Sequence, residues 1–255
     1  MYDSLAKDYD RFNNWTNRLQ AEIPFIEENI RQASSGTPPK VLDAACGTGM
    51  HAIALSRLGF SCAGADISPA MIERARENAR DAHQDVDFRV AGFQELRKTF
   101  EPESFDALLC LGNSLPHVLS LDELLVTLTN FAGCLRRDGL LLLQSRNFDA
   151  VMAKKERFMN PEPYSDLESE WLFKRFYDFE PNGLIRFNMV SLKRKHSAEW
   201  KAEVTSTMLY PQTEVLVRSS LEQAGFTRIH SLGNMAGDPF NPETSGNLII
   251  TARRA

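Results

Sequence analysis

The chain has 255 residues, with 29 basic and 34 acidic side chains and a formal net charge of −5. That balance gives no electrostatic footprint for nucleic acid, and no apolar run approaches the roughly 20 residues of a membrane span. Apolar residues make up 43% of the chain, enough for a large core and consistent with one domain carrying an insertion.

The N-terminus MYDSLAKDYDRF is too polar for a signal peptide. Residues 15–33 carry a helical pattern, and ASSGTPPK then breaks the chain. Short apolar runs follow at KVLDAAC, FSCAGAD, VDFRVAG, FDALLCLG and GLLLLQS, separated by helical patterns at 49–58, 69–82 and 121–136. Strands alternating with helices predict an α/β fold whose parallel sheet is covered on both faces. Of the four cysteines, Cys46, Cys62, Cys110 and Cys134, three fall in strand or core positions, and none has metal-ligand spacing. A reduced, cytoplasmic protein is the expectation.

After Asn147 the texture changes. WLFKRFYDFE, GLIRFNMVSLKRK and WKAEVTSTMLY alternate polar and apolar residues, as half-exposed antiparallel strands do, and PNG turns between the first two. QTEVLVRSSLEQAGF then reads as an amphipathic helix, and TRIHSLG with NLIITARR as a closing pair of strands. The expected organisation is a core over 1–146 with an N-terminal helical lid, an inserted β-rich cap over 147–210, and a return to the core over 211–255.

The chemistry gathers in VLDAACGTGMHAIALSRLGFSCAGADIS, residues 41–68. A strand, a glycine-rich turn and a helix start let backbone approach a ligand closely, and the helix N-terminus offers unpaired N–H groups. Asp66, ending the second strand, points acceptor oxygens toward a ribose diol. The third glycine of the dinucleotide fingerprint is replaced by His51 and Ala52, and no Gly-Lys-Ser/Thr phosphate loop occurs. A nucleoside ligand without phosphates fits the pattern.

DAACGTG followed by ADIS resembles the first two motifs of the class I S-adenosylmethionine-dependent methyltransferases. The resemblance implies a seven-stranded Rossmann-like sheet with its last strand antiparallel, here carrying an inserted antiparallel β cap, and S-adenosyl-L-methionine as cofactor. It implies that Asp43, Gly47 and Gly49 line the methionine end and Asp66 holds the ribose. Ala45, Ile67, Met71 and Leu111 complete that set with Gly92 and Phe93. The slot at Gly92-Phe93 departs from the family, which carries an acid or amide there for the adenine amino group. A backbone N–H then has to take its place, with Phe93 packing on the ring.

LGNSLPH, residues 111–117, puts Asn113, Ser114 and His117 past the end of the fourth strand, where open sheets place their ligand crevice. Arg146, in QSRNFD at the end of the fifth strand, adds a permanently charged fork suited to a carboxylate. Both segments, with MLYPQ, SLEQAGF and LGNMAGDPF, resemble the glycine/sarcosine N-methyltransferases. The resemblance implies that Arg146 and Asn113 grip an amino-acid carboxylate and that Tyr210 is an active-site tyrosine. Asn113, His117 or Tyr210 would hold the amine, and His117 reads equally well as a loop histidine. Tyr2, Tyr9, Trp15 and Arg18 are weaker candidates for a lid. Three functions stay open: methylation of glycine or a similar small amine, methylation of another amine or hydroxyl, and cofactor binding without transfer. The partner is a small molecule, and a homo-oligomer is left open.

Overall fold

The computed structural model describes residues 9–11, 13–34, 37–195 and 198–255. Helix α1, Trp15–Ala33, starts where the Asn14 side chain accepts the N–H of Asn17 at 3.2 Å, and it buries Glu22, Ile26 and Ile30 on one stripe. The α/β alternation then runs β1 Lys40–Asp43, α2 Met50–Arg57, β2 Ser61–Asp66, α3 Pro69–Asp81, β3 Asp87–Val90, α4 Leu96–Thr99 and β4 Phe105–Cys110. Helix α5, Leu121–Cys134, leads into the long strand β5, Leu135–Arg146. Ser68 caps α3, with Pro69 at its first turn, and Ser120 caps α5 ahead of Asp122 and Glu123. These are the side chains that satisfy orphan N–H groups and suit the positive helix end.

The excursion after β5 contains the short helix α6, Phe148–Lys154, and strands β6 Glu162–Ser165, β7 Ser169–Phe179, β8 Ile185–Lys195 and β9 Lys201–Leu209. Helix α7, Glu214–Gln223, and strands β10 Phe226–Leu232 and β11 Asn247–Arg254 return to the core. Two sheets result. The larger has seven strands in the order β10-β11-β5-β4-β1-β2-β3, and the smaller has four in the order β6-β7-β8-β9. Strands β1 to β5 run parallel, whereas β11 pairs antiparallel with both β5 and β10. The expected seven-stranded sheet, reversed last strand and antiparallel cap sheet are all present.

Alternation along the central strands explains their continuous apolar runs. Leu108, Leu141 and Leu143 face a cluster with Leu124, Leu128 and Phe131 of α5. Leu109, Leu140 and Leu142 face the opposite cluster, with Ile26 and Ile30 of α1 and Ile72 of α3. Both sides of β4 and β5 are therefore sealed from water, as a parallel sheet requires. All four cysteines are buried and free. No described helix is long and apolar enough to cross a membrane.

Candidate active site

The strand order reverses around β1, which lies between β4 and β2, and the crevice opens past the carboxyl ends of these strands. The loop after β1 is pinned to both neighbours: Ala44 N–H donates to Leu109 O at 2.8 Å and Cys46 N–H to Ala65 O at 2.9 Å. Gly47 and Gly49 then take φ of +52° and +80°, a region hostile to side chains. A Cβ on Gly49 would stand 2.5 Å from the Phe88 ring. Gly49 thus lets α2 press onto β3, while Gly47 fronts the ligand space.

The crevice holds a cavity of about 210 Å³. Ala45 and Gly47 line it from the glycine loop, Asp66, Ile67 and Met71 from the end of β2 and the start of α3, and Gly92 and Phe93 from the loop after β3. The other three residues expected at the cofactor do not line it. Asp43 and Leu111 are buried behind its wall, and Gly49 is packed against Phe88. Tyr9 also lines it, over the Gly47 face, where a Cβ on Gly47 would lie 3.7 Å from the Tyr9 ring. Tyr2 lies outside the described residues.

Asp66 is the polar anchor of the cavity. Its Oδ2 accepts the Gly47 N–H at 3.0 Å and its Oδ1 accepts the Ser68 N–H at 2.9 Å. Each carboxylate oxygen has a second lone pair, so the group can still receive a diol. Beside it, Ile67 is 72% exposed, a large apolar side chain left in water at the cavity mouth. Phe93 stands edge-on to Phe131 at 5.3 Å, which fixes its ring against α5. The Gly92 N–H donates to Glu95 Oε2 at 3.0 Å, closing a capping box. That donor is therefore engaged within the chain.

At the opposite end, the Asp43 carboxyl is pushed up to about 6, mainly by burial, against the opposing pull of His51 and the Ala45 N–H. Its Oδ1 has no hydrogen-bond partner among the described residues. Burial likewise raises the Tyr9 hydroxyl, partly offset by Arg18. The Arg18 guanidinium lies over the Trp15 ring at 5.1 Å, and its Nη2 donates to Gln144 Oε1 at 3.3 Å. Asp10 fastens the segment carrying Tyr9. Its carboxylate accepts from Thr48 Oγ1 at 2.6 Å and Trp15 Nε1 at 2.9 Å, and from Arg74 and Asn78 at 3.3 Å each.

The remaining predicted residues surround the ends of β4 and β5. His117 lines the cavity with Ser114. Burial pushes its imidazole down to about 4, with a hydrogen bond to the Met208 backbone acting the other way, so the ring is neutral at pH 7. Asn113, at φ +66°, accepts the backbone N–H of Arg146 on its Oδ1 at 3.0 Å. The Arg146 side chain meets the hydroxyl of Tyr177, whose burial raises its own titration while Arg146 lowers it. Tyr210 donates its backbone N–H to Pro116 O at 2.8 Å. Asn113, Arg146 and Tyr210 thus flank the cavity and do not line it. Next to Arg146, Asn147 is 2% exposed, and its Nδ2 donates to the carbonyls of Asn241, Pro242 and Ser245 at 3.3, 3.0 and 2.9 Å.

Tyr177 was not among the residues singled out from the sequence, yet Trp171, Phe173 and Tyr177 are buried and stand an even number of positions apart, on one face of β7. Glu22 was also missed. A carboxylate on the same stripe as Ile26 and Ile30 is the signal that marks it.

A glycine cradle, an anchored carboxylate beside exposed apolar surface, and a buried acid with one oxygen unpaired among the described residues suit a ligand with a ribose diol, a flat base and a cationic end. S-Adenosylmethionine has all three, so the residues present fit it. Fold and crevice define an S-adenosylmethionine-dependent methyltransferase. Residues 41–139 match the family model of a methyltransferase domain. The whole chain superposes on an S-adenosylmethionine-dependent methyltransferase from Clostridium acetobutylicum with a TM-score of 0.76 at 16% identity, over 96% of that chain. A glycine/sarcosine N-methyltransferase from Parasynechococcus marenigrum is 30% identical over 251 residues, covering 94% of this chain and 80% of that protein. Another, from Aphanothece halophytica, is 30% identical over 204 residues, 76% and 75% of the two chains. The chain belongs to the family of the glycine/sarcosine N-methyltransferases.

Proposed function

We propose that the protein transfers a methyl group from S-adenosylmethionine to the amine of a small carboxylate-bearing acceptor such as glycine or sarcosine. The observation that carries this reading is Arg146, a guanidinium at the end of β5 held through its backbone by Asn113 and at its side chain by Tyr177. A planar fork fixed beside a small-molecule crevice suits a carboxylate. The two relatives above, named for glycine and sarcosine, point to the same acceptor class.

In this reading Asp66 holds the ribose, Ile67 and Phe93 flank the base, and Gly47 gives close access to the chain that follows. Asp43, from behind the cavity wall, supplies a charge that favours the cofactor's ammonium group, and Arg18, beside Gly112 on the cavity rim, receives its carboxylate. When bound, S-adenosylmethionine supplies a methyl group activated by its sulfonium. The protein's part is alignment, for which well-oriented reactants gain up to ~7–11 kcal/mol over free ones. Arg146 anchors the acceptor, and burial favours the neutral amine that can attack. His117, neutral and bound to the Met208 backbone, keeps a ring nitrogen able to accept a hydrogen bond from that amine.

The remaining parts of the reading are a division into a core over 1–146, a cap over 147–210 and a return over 211–255, a homo-oligomer, and a cytoplasmic setting. The separate four-stranded sheet supports the division, and four free buried cysteines suit a reducing compartment. The test is methyl transfer from labelled S-adenosylmethionine to glycine, sarcosine, dimethylglycine, other amines and phenols. Label in sarcosine or dimethylglycine supports the proposal, and label confined to a phenol or to an acceptor without a carboxylate rejects it.

A further inference from the structure

A carboxylate on the buried stripe of α1 is costly unless it is fully paired. Glu22 has such partners. His51 Nε2 lies 2.7 Å and Arg18 Nε 3.1 Å from its Oε2, and Gln144 Nε2 lies 3.0 Å from its Oε1. A carboxylate only accepts, so His51 carries its ring proton on Nε2. Burial works against the Glu22 charge, but the hydrogen bond from His51 and the charge of Arg18 outweigh it and hold the carboxyl below its ordinary range. Gln144 Oε1 in turn accepts from the Gly112 N–H at 3.0 Å and from Arg18 Nη2. Trp15 closes the ring of contacts, edge-on to His51 at 5.6 Å and under the Arg18 guanidinium.

Arg18 is therefore gripped by groups from α1 and β5, through a carboxylate that α2 locks in place. Two of its three nitrogens are engaged. Nη1 has no partner among the described residues, and Nη2 and Nη1 lie 3.5 and 3.9 Å from where a Cβ on Gly112, a cavity residue, would stand. Burying an ion pair rarely stabilises a fold more than an apolar pair of the same shape would. An apolar pair, however, could not fix a guanidinium beside Gly112 at the cavity rim.

We propose that Glu22 and His51 are positioning residues for the amino-acid end of the cofactor: they hold Arg18 at the cavity rim so that its guanidinium receives the α-carboxylate. This rests on the reading of Arg18 given above. Neither residue lines the cavity; Glu22 bonds Arg18 directly, and His51 reaches Arg18 through Glu22.

The test compares two ligands by calorimetry. S-Adenosylhomocysteine carries the amino-acid end, and methylthioadenosine shares the adenosine and thioether but lacks that end. Glu22→Gln and His51→Leu should each weaken S-adenosylhomocysteine by about tenfold while changing methylthioadenosine by less than about twofold. His51→Gln, which restores an N–H donor, should return the affinity close to that of the parent. Equal weakening of both ligands, or of neither, overturns the proposal. Arg18→Ala separates the two layers. If it leaves the ratio of the two affinities intact, the reading of Arg18 itself fails. If it abolishes the ratio while Glu22→Gln and His51→Leu do not, only the positioning role fails. Should His51→Leu not fold, the isosteric Glu22→Gln decides.

Discussion

Asn113 Oδ1 accepts the backbone N–H of Arg146 at 3.0 Å, joining the loop after β4 to the last residue of β5 across 33 positions of sequence. Arg146 thus owes its placement to a neighbour as well as to its own strand. Arg146→Ala should raise the Michaelis constant for a carboxylate acceptor by ten- to a hundredfold, the range expected from losing a hydrogen bond to a charged group worth about 1.5–3 kcal/mol. Asn113→Ala should raise it by less, and neither should move cofactor affinity appreciably. Steady-state kinetics with calorimetry of the cofactor checks both. A change in cofactor affinity as large as that in the acceptor constant contradicts the assignment.

Asp66 carries two backbone hydrogen bonds besides its expected ligand. Asp66→Ala should therefore weaken S-adenosylmethionine by about 1.5–3 kcal/mol, the cost of losing a charge-assisted contact. Asp66→Asn, which keeps an acceptor oxygen, should cost less. Binding isotherms that do not change on Asp66→Ala would remove it from the ribose.

Gly49 has no room for a methyl group: Phe88 would stand 2.5 Å and Ala75 Cβ 3.0 Å from it, at φ +80°. Overpacking costs about 1–3 kcal/mol, and a left-handed backbone adds roughly another 1–2 kcal/mol. Gly49→Ala should lower unfolding stability by at least about 2 kcal/mol in denaturant titration. Gly59→Ala, at φ +86° with nothing within 4 Å, provides the control for backbone strain alone.

The Asp43 carboxyl titrates at about 6, well above its ordinary 3.8. A cationic ligand end favours the ionised form, so affinity for S-adenosylmethionine should fall as pH falls through about 6. For folding the sign is reversed. The native state holds this proton more tightly than the unfolded chain does, so between 3.8 and about 6 this group makes folding less favourable as pH rises. Asp43→Asn should flatten the pH dependence of binding, measured by calorimetry from about pH 5 to about pH 8.

The parallel core was legible because strands buried on both faces read as unbroken apolar runs, as FDALLC does in β4. The glycine loop was legible because its backbone geometry excludes side chains. The short strand β6, EPYS, escaped notice: it contains a proline, lies at the edge of its sheet and buries little. Helix α6 was absorbed into the cap because its seven residues span too little chain for periodicity to speak. Partnerships across long separations were invisible for a different reason. Gln144 and Glu22 stand 122 positions apart, and only the packing of α1 across β5 brings their side chains together. Sequence marked Arg18 as a weaker lid candidate and His51 as a departure from the dinucleotide fingerprint, but it could not indicate that they share one carboxylate.

The three carbonyls that receive the Asn147 carboxamide lie 94, 95 and 98 positions further along the chain. They belong to the approach to β11, last in chain order among the strands of the larger sheet and the one that slots between β10 and β5. During synthesis, β1 to β4 and the glycine loop leave the ribosome well before this anchor exists. The end of β5 that carries Arg146 therefore gains this anchor only once the approach to β11 has been made.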